Sequence, residues 1–268
     1  MRTKIKMFLL ILSLAIPVLW VSCNEDDTIL NGNNKFEAED TFSFDVQVEN
    51  QSRLRLVAIT GNIDITGNVQ ANTVSISGTK RVKAKSMEDA EQRLTELNVD
   101  VQDMINEVFV VTMQPDDTQG RDYEVDYTIT LPENLEVHVN SVTGNLEINT
   151  ISNNVSIGHV TGSVTLEEIE GSANVELVTG IIEGKVTLPL NNNITMRIVT
   201  GNIILNIPVN TSAEFSANVI TGSINVSNLT LQNKVETSTF LGGTLGNGEG
   251  TISLRTVTGN ISVSGFNL

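Results

Sequence analysis

The chain has 268 residues and carries 32 acidic against 16 basic residues, a net charge of −16 near neutral pH. That balance argues against nucleic-acid binding, which needs a basic face, and a single cysteine excludes an internal disulfide. Aromatic residues make up only 4%, so a core must be filled by Val, Ile and Leu, which suits a narrow repeated scaffold.

In chain order, Arg2, Lys4 and Lys6 precede an apolar run from Met7 to Trp20. The run is the length of a signal-peptide core and too short for a comfortable membrane span. Val21-Ser22-Cys23 follows, with Leu19 four residues before Cys23, and resembles the lipobox of bacterial lipoproteins. Residues 1–22 are therefore read as a signal peptide and Cys23 as the site of lipid attachment. Several acyl chains, at ~0.8 kcal/mol per buried CH₂, hold a protein durably to a membrane. Asn24, Glu25, Asp26 and Asp27 resemble the surface-export tag of lipoproteins in one large Gram-negative phylum. That resemblance implies an outer membrane lipoprotein exposed at the cell surface; the plainer reading of residues 23–35 is a solvated acidic tether. Asp27-Thr28-Ile29 resembles the O-glycosylation motif of the same bacteria, which would place a glycan on Thr28.

Residues 36–140 hold most of the acidity, with 23 acidic residues between Cys23 and Asn140 against nine from Ser141 onward. Lys80-Arg81-Val82-Lys83-Ala84-Lys85 alternates, as a protected edge strand would. Ser86 with Asp89 makes a start like a capping box, and Met87, Ala90, Leu94 and Leu97 keep helical spacing. One helix of about eleven residues is expected there, packed on the end of the repeats. Val99/Val101, Val108/Val110 and Tyr123 to Thr130 read as strands, the last ending at Leu131-Pro132. Asp116, Asp117, Asp122, Glu124 and Asp126 lack the alternation and glycine of a calcium loop, so they read as a solvated loop. No metal or cofactor is expected.

Seven Thr-Gly copies with a common flanking pattern dominate the rest: AITGNIDI from Ala58, SVTGNLEI from Ser141, HVTGSVTL from His159, LVTGIIEG from Leu177, IVTGNIIL from Ile198, VITGSINV from Val219 and TVTGNISV from Thr256. Two residues before each Gly and two after it are always aliphatic, and four after usually so. These positions are expected to face inward on strands. Three before (Ala58, Ser141, His159, Leu177, Ile198, Val219, Thr256) and one after vary in polarity, as outward positions or corner ladders would. The pairs Thr60-Gly61, Thr143-Gly144, Thr161-Gly162, Thr179-Gly180, Thr200-Gly201, Thr221-Gly222 and Thr258-Gly259 then read as structural corners. Gly supplies positive φ, and the Thr hydroxyl bonds a backbone group locally or its counterpart one coil away.

Corners at Gly144, Asn153, Gly162, Gly171 and Gly180 fall nine residues apart, with Asn153 standing in for Gly in a left-handed conformation. The half-repeats keep inward pairs at Val155/Ile157, Ala173/Val175, Ile194/Met196 and Phe215/Ala217. Insertions near Pro189 and Pro208 lengthen the coil from 18 to 21 residues. Stacked in parallel at ~4.8 Å per coil, such arms predict a mostly β chain. The expected form is a parallel β-solenoid with 18–21-residue coils, regular over residues 141–268, with a short helix and a strand hairpin inserted near the N-terminal end.

The order of a short repeat block, the helix opened by Ser86-Met87-Glu88-Asp89-Ala90-Glu91, a hairpin, the Tyr-x-Val-x-Tyr-x-Ile-x-Leu-Pro run ending at Pro132 and serial Val-Thr-Gly copies resembles the bacterial putative-adhesin family over residues 40–266. The resemblance implies a right-handed β-solenoid with an envelope or surface role, and it carries no catalytic residues. The chain departs from it at Phe240-Leu241-Gly242-Gly243 and the Gly-rich stretch through Gly250, which predicts an irregular last coil.

Enzyme chemistry finds little to use. Lys185, Arg197, Lys234 and Arg255 are scattered, Glu167, Glu168 and Glu170 read as a solvated turn, His138 alternates outward, His159 takes a position filled elsewhere by Ala, Ser, Leu, Ile, Val or Thr, and neither histidine has a catalytic partner in the sequence. A non-enzymatic binding or structural module is expected, anchored to the membrane and recognising an unidentified glycan or protein. The alternatives are an envelope-stress or signalling accessory acting through a protein partner and, more remotely, a polysaccharide-active enzyme.

Overall fold

Alternating apolar residues and glycine turns over most of the sequence leave little room for anything but strands. A computed structural model describes residues 34–267; the expected signal peptide of residues 1–22, the expected lipid site Cys23, the expected tag Asn24 to Asp27 and the expected glycan site Thr28 lie outside the described residues. The first part contains β1 (Phe36–Gln47), β2 (Arg53–Val57), β3 (Ile63–Asn68), β4 (Thr73–Ala84), α1 (Met87–Leu94), β5 (Asn98–Asp103), β6 (Glu107–Met113) and β7 (Asp122–Pro132). The second contains β8 (Glu136–Asn140), β9 (Leu146–Ile151), β10 (Val155–Glu170), β11 (Ala173–Thr187), β12 (Asn193–Pro208), β13 (Ala213–Thr221), β14 (Ile224–Ser227), β15 (Gln232–Glu236), β16 (Phe240–Leu245), β17 (Gly250–Thr258) and β18 (Ile261–Phe266). All eighteen strands hydrogen-bond into one open sheet.

Most of the pairing is parallel, and its register follows the repeats. Val155 pairs with Ala173, 18 residues on, and Ala173 pairs with Ile194, 21 residues on. The stacking order departs from chain order at both ends. β2/β3 sit between β6/β7 on one side and β8/β9 on the other, so the inserted segment forms an outer layer before the first Thr-Gly copy. At the far end β12 pairs with β17 and β18, and these pair in turn with β13 and β14. The last copy is therefore regular and lies between the fifth and the sixth. The irregular feature expected there is instead the β15–β16 hairpin, laid antiparallel on β13.

Inward side chains form continuous ladders. Val108, Leu54, Val137, Val155, Ala173, Ile194, Ile252 and Phe215 make one, all at most 4% exposed. After the corner, Tyr127, Ile63, Leu146, Val164, Ile182, Ile203 and Ile261 make another. The gap in the aliphatic pattern at Gly184 has a packing reason: a Cβ there would meet the Met196 side chain at 2.8 Å, so the long thioether occupies its space.

The corner changes the inward phase. Ala58, Ser141, His159, Leu177, Ile198, Val219 and Thr256, expected as outward positions or corner ladders, are all buried at 7% exposure or less. The aliphatic row one residue later, expected inside, faces out: Val142, Val160, Val178, Val199 and Ile220 are 38–57% exposed. Five residues separate the inward position before the corner from the one after it. Strict alternation cannot span an odd interval, and the glycine at φ of 131° to 146° absorbs the extra residue. Nor are the intervening corners left-handed at Asn153 or Gly171: positive φ occurs instead at Thr150, Glu168, Asn191 and Asn228. Gly171 is needed for space, since a Cβ would land on the Asn153 carbonyl.

The basic run is not on an edge. β4 lies between β1 and β7, antiparallel to both, and its cations face carboxylates on both neighbours: Lys80 with Asp40, Lys83 with Glu37, and Arg81 with Glu39, Glu124 and Asp126. α1 has eight residues where about eleven were expected. Ser86 Oγ accepts from the Asp89 N–H at 3.2 Å, and the Thr95 hydroxyl donates to the Gln92 carbonyl at 2.7 Å, closing the helix before Leu97. Its Ala90 packs against Ala38 of β1 and Ala84 of β4.

Candidate binding surface

Each Thr-Gly corner is clamped by backbone. The seven Thr residues stand in one parallel row, in the order Thr60, Thr143, Thr161, Thr179, Thr200, Thr258, Thr221. The glycines stack beside them so closely that a Cβ on Gly144, Gly162, Gly180, Gly201, Gly259 or Gly222 would strike the carbonyl of the neighbouring glycine. Positive φ and this contact together explain why glycine recurs.

Asn at the next position makes the bond to the neighbouring corner that was one option expected of Thr. Asn62 Oδ1 accepts from the Asn145 N–H at 3.1 Å, Asn145 Oδ1 from the Ser163 N–H at 3.2 Å, Asn202 Oδ1 from the Asn260 N–H at 2.9 Å, and Asn260 Oδ1 from the Ser223 N–H at 3.0 Å. Among the described residues none of the seven Thr hydroxyls makes a hydrogen bond to the protein. The Thr side chains and the aliphatic row before them project from the corner together.

The result is a continuous edge of Ile59, Val142, Val160, Val178, Val199, Val257 and Ile220 beside seven Thr, flanked by Asn, Ser and Ile181. At ~4.8 Å per strand it runs about 29 Å. In the sequence this row reads as inward, because it is aliphatic in all seven copies and keeps period two with the positions after the Gly. The odd interval across the corner was the signal that could have placed it outside.

No family model matches the chain. No curated protein matches it either. Among solved structures, a putative cell adhesion protein from Clostridium sporogenes is 15% identical, with 85% of this chain and 100% of that one covered at a TM-score of 0.49. A putative adhesin from Bacteroides fragilis is 15% identical, over 85% of this chain and 97% of that one, at 0.33. A putative lipid binding protein from Parabacteroides distasonis is 12% identical, over 88% and 96%, at 0.27.

The remaining polar clusters have structural explanations. His159 is buried: the Ser141 hydroxyl donates to its Nδ1 at 2.7 Å, and its Nε2–H donates to the Gly144 carbonyl at 3.0 Å. The pair resembles a nucleophile and base, but both residues are at most 7% exposed, so no substrate reaches them. His138 does face out, between Arg55 and Ser156. Burial and the nearby Arg53 hold its pKa below the ordinary histidine value. Arg53 binds Glu136 at 2.8 Å and holds that carboxyl below its usual range, and the Arg55 guanidinium lies 4.9 Å from the Phe109 ring centre. Tyr127 donates to or accepts from Thr112 at 2.6 Å inside the core, where burial pushes its pKa up to about 12.

Of the acidic residues between Asp116 and Asp126, Glu124 and Asp126 pair with Arg81, Asp122 accepts from Asn34, and Asp117 accepts from the Gln119 N–H. Among the described residues no group of three or more His, Cys, Asp or Glu is arranged to hold a metal. Glu168 faces Lys185 at 3.9 Å across an open groove of about 540 Å³ lined also by Glu133, Glu170 and Phe266.

Proposed function

We propose that the chain is a non-enzymatic, adhesin-like binding module: a β-solenoid of 18–21-residue coils, anchored through Cys23 to the outer membrane and displayed at the bacterial surface. The observation that carries the reading is the Thr/aliphatic edge. Exposed apolar residues scattered singly need no explanation, whereas a contiguous apolar row points to an interaction site. Five of its side chains are 38–57% exposed, and they occupy one position of successive repeats. A scaffold stacked in one dimension repeats one small recognition unit many times, so weak contacts add along its length.

The lipobox-like Val21-Ser22-Cys23 and the acidic Asn24 to Asp27 supply the address. Protease treatment of intact cells tests display, and labelled protein added to host cells and bacterial envelopes tests binding. Cleavage on intact cells together with saturable binding that Val178→Lys/Val199→Lys abolishes is the expected result. A protected protein, or binding indifferent to the edge, refutes the corresponding part.

A further inference from the structure

We propose that the Thr-Gly edge takes a neutral, extended glycan laid along the stack. This rests on the binding-module reading and names its ligand class.

Charge comes first. The three outward positions at each corner are Ile59, Thr60 and Asn62 in the first copy and Val178, Thr179 and Ile181 in the fourth, and none of the 21 such positions in the seven copies is charged. In a chain of net charge −16 this leaves no electrostatic attraction for a polyanion or an anionic lipid surface. An ionic polymer would also lose hydration without a partner.

Chemistry and stiffness come next. A sugar ring presents a C–H face and rim hydroxyls, and the edge presents methyls of Val or Ile beside Thr hydroxyls that have no protein partner among the described residues. All fourteen of these side chains are β-branched and so restricted at χ1. They sit on backbone tied across coils, for example by the Thr161 N–H to the Val142 carbonyl at 2.8 Å and the Gly144 N–H to the Thr161 carbonyl at 3.1 Å. Little conformational freedom remains to be lost on binding.

Dimensions separate the occupants. The edge is two to four residues wide, which gives about 200–400 Å². A stable protein–protein interface needs roughly 800 Å² from each partner, so a second copy or a globular partner is too large for it. A linear polymer fits, and the ~4.8 Å strand spacing is close to the advance of one sugar in an extended chain.

The test is titration calorimetry of the purified full-length chain with cello-oligosaccharides of increasing length, with polygalacturonate, and with phosphatidylcholine vesicles. Affinity for the neutral oligosaccharides should climb with length and level off at about seven units, one per coil, with the other two probes binding more weakly. Val178→Lys/Val199→Lys should weaken oligosaccharide binding at least about tenfold. Glu183→Lys, the same kind of cation on another face, should not. If the charged pair fails to fold, Thr179→Val/Thr200→Val keeps shape and removes two hydroxyls, and it should bind more weakly at an unchanged melting temperature. Equal binding by the Thr variant and the parent overturns the proposed site. Preference for polygalacturonate or vesicles overturns the ligand class. A chain that binds no neutral oligosaccharide but still binds cells through the edge refutes this inference and leaves the module reading standing; a chain that binds neither refutes both.

Discussion

Ile198 and Val199 are adjacent aliphatic residues assigned to opposite sides of the wall, and truncating each in turn measures the corner's phase. Ile198 is 3% exposed, stands between Leu177 and Thr256 in its ladder, and its Cδ1 crowds Gly201. Ile198→Ala should remove transfer energy and leave a cavity, together about 3 kcal/mol within the usual 2–5 range. For a domain of this size that lowers Tm by about 6–12 °C. Val199 is 43% exposed, so Val199→Ala should cost under about 1 kcal/mol. The aspartates widen the contrast. Ile198→Asp adds a buried carboxylate to the lost packing, which approaches the whole stability of about 5–15 kcal/mol, while Val199→Asp should still fold. Urea titrations followed by circular dichroism, run on the four variants and the parent, supply the values. Equal losses at the two positions, or a larger loss at Val199, would refute the phase change and remove the outward edge with it.

Three further outcomes follow from the same geometry. Gly180→Ala combines strain at φ 146° with a collision against the Gly162 carbonyl, and should cost at least about 3 kcal/mol in the same titration. Thr179→Val/Thr200→Val should change stability by less than about 0.5 kcal/mol per site, because these hydroxyls hold no protein partner among the described residues; a large loss would restore a structural role for the Thr. Both tyrosines of the chain are held neutral by burial, Tyr127 up to about 12. A raised folded pKa favours the folded state fully below the ordinary value of about 10, and that contribution is lost as pH rises toward 12. Ultraviolet difference absorbance should therefore find little phenolate at about pH 10 in the native protein, and alkaline unfolding should follow above it.

Mostly β structure and a single helix were legible because period-two aliphatic runs and a Ser86 cap depend on local chemistry alone. The 18- and 21-residue parallel offsets equal the spacing of the Thr-Gly copies, so register was legible too. Three things were not. Inward phase was misassigned because alternation was carried across Gly61, Gly144 and their counterparts, where the backbone turns. Stacking order depends on which strand edges meet in space, and neither β17 between β12 and β13 nor β4 between β1 and β7 has a local signal. His159 had no partner in the sequence because its repeat position gives no direction; once that position faces inward, Ser141, 18 residues earlier, becomes its partner.

On the proposed reading, the Thr/aliphatic edge is where the chain touches its ligand. Methyl NMR of protein labelled at Val and Thr, titrated with a neutral oligosaccharide, tests it directly. Shifts should concentrate on Val142, Val160, Val178, Val199 and the neighbouring Thr methyls, with buried Val164 and Val175 undisturbed. Shifts confined to the Lys185–Glu168 groove, or to the Arg53–Glu136–His138 face, would contradict it.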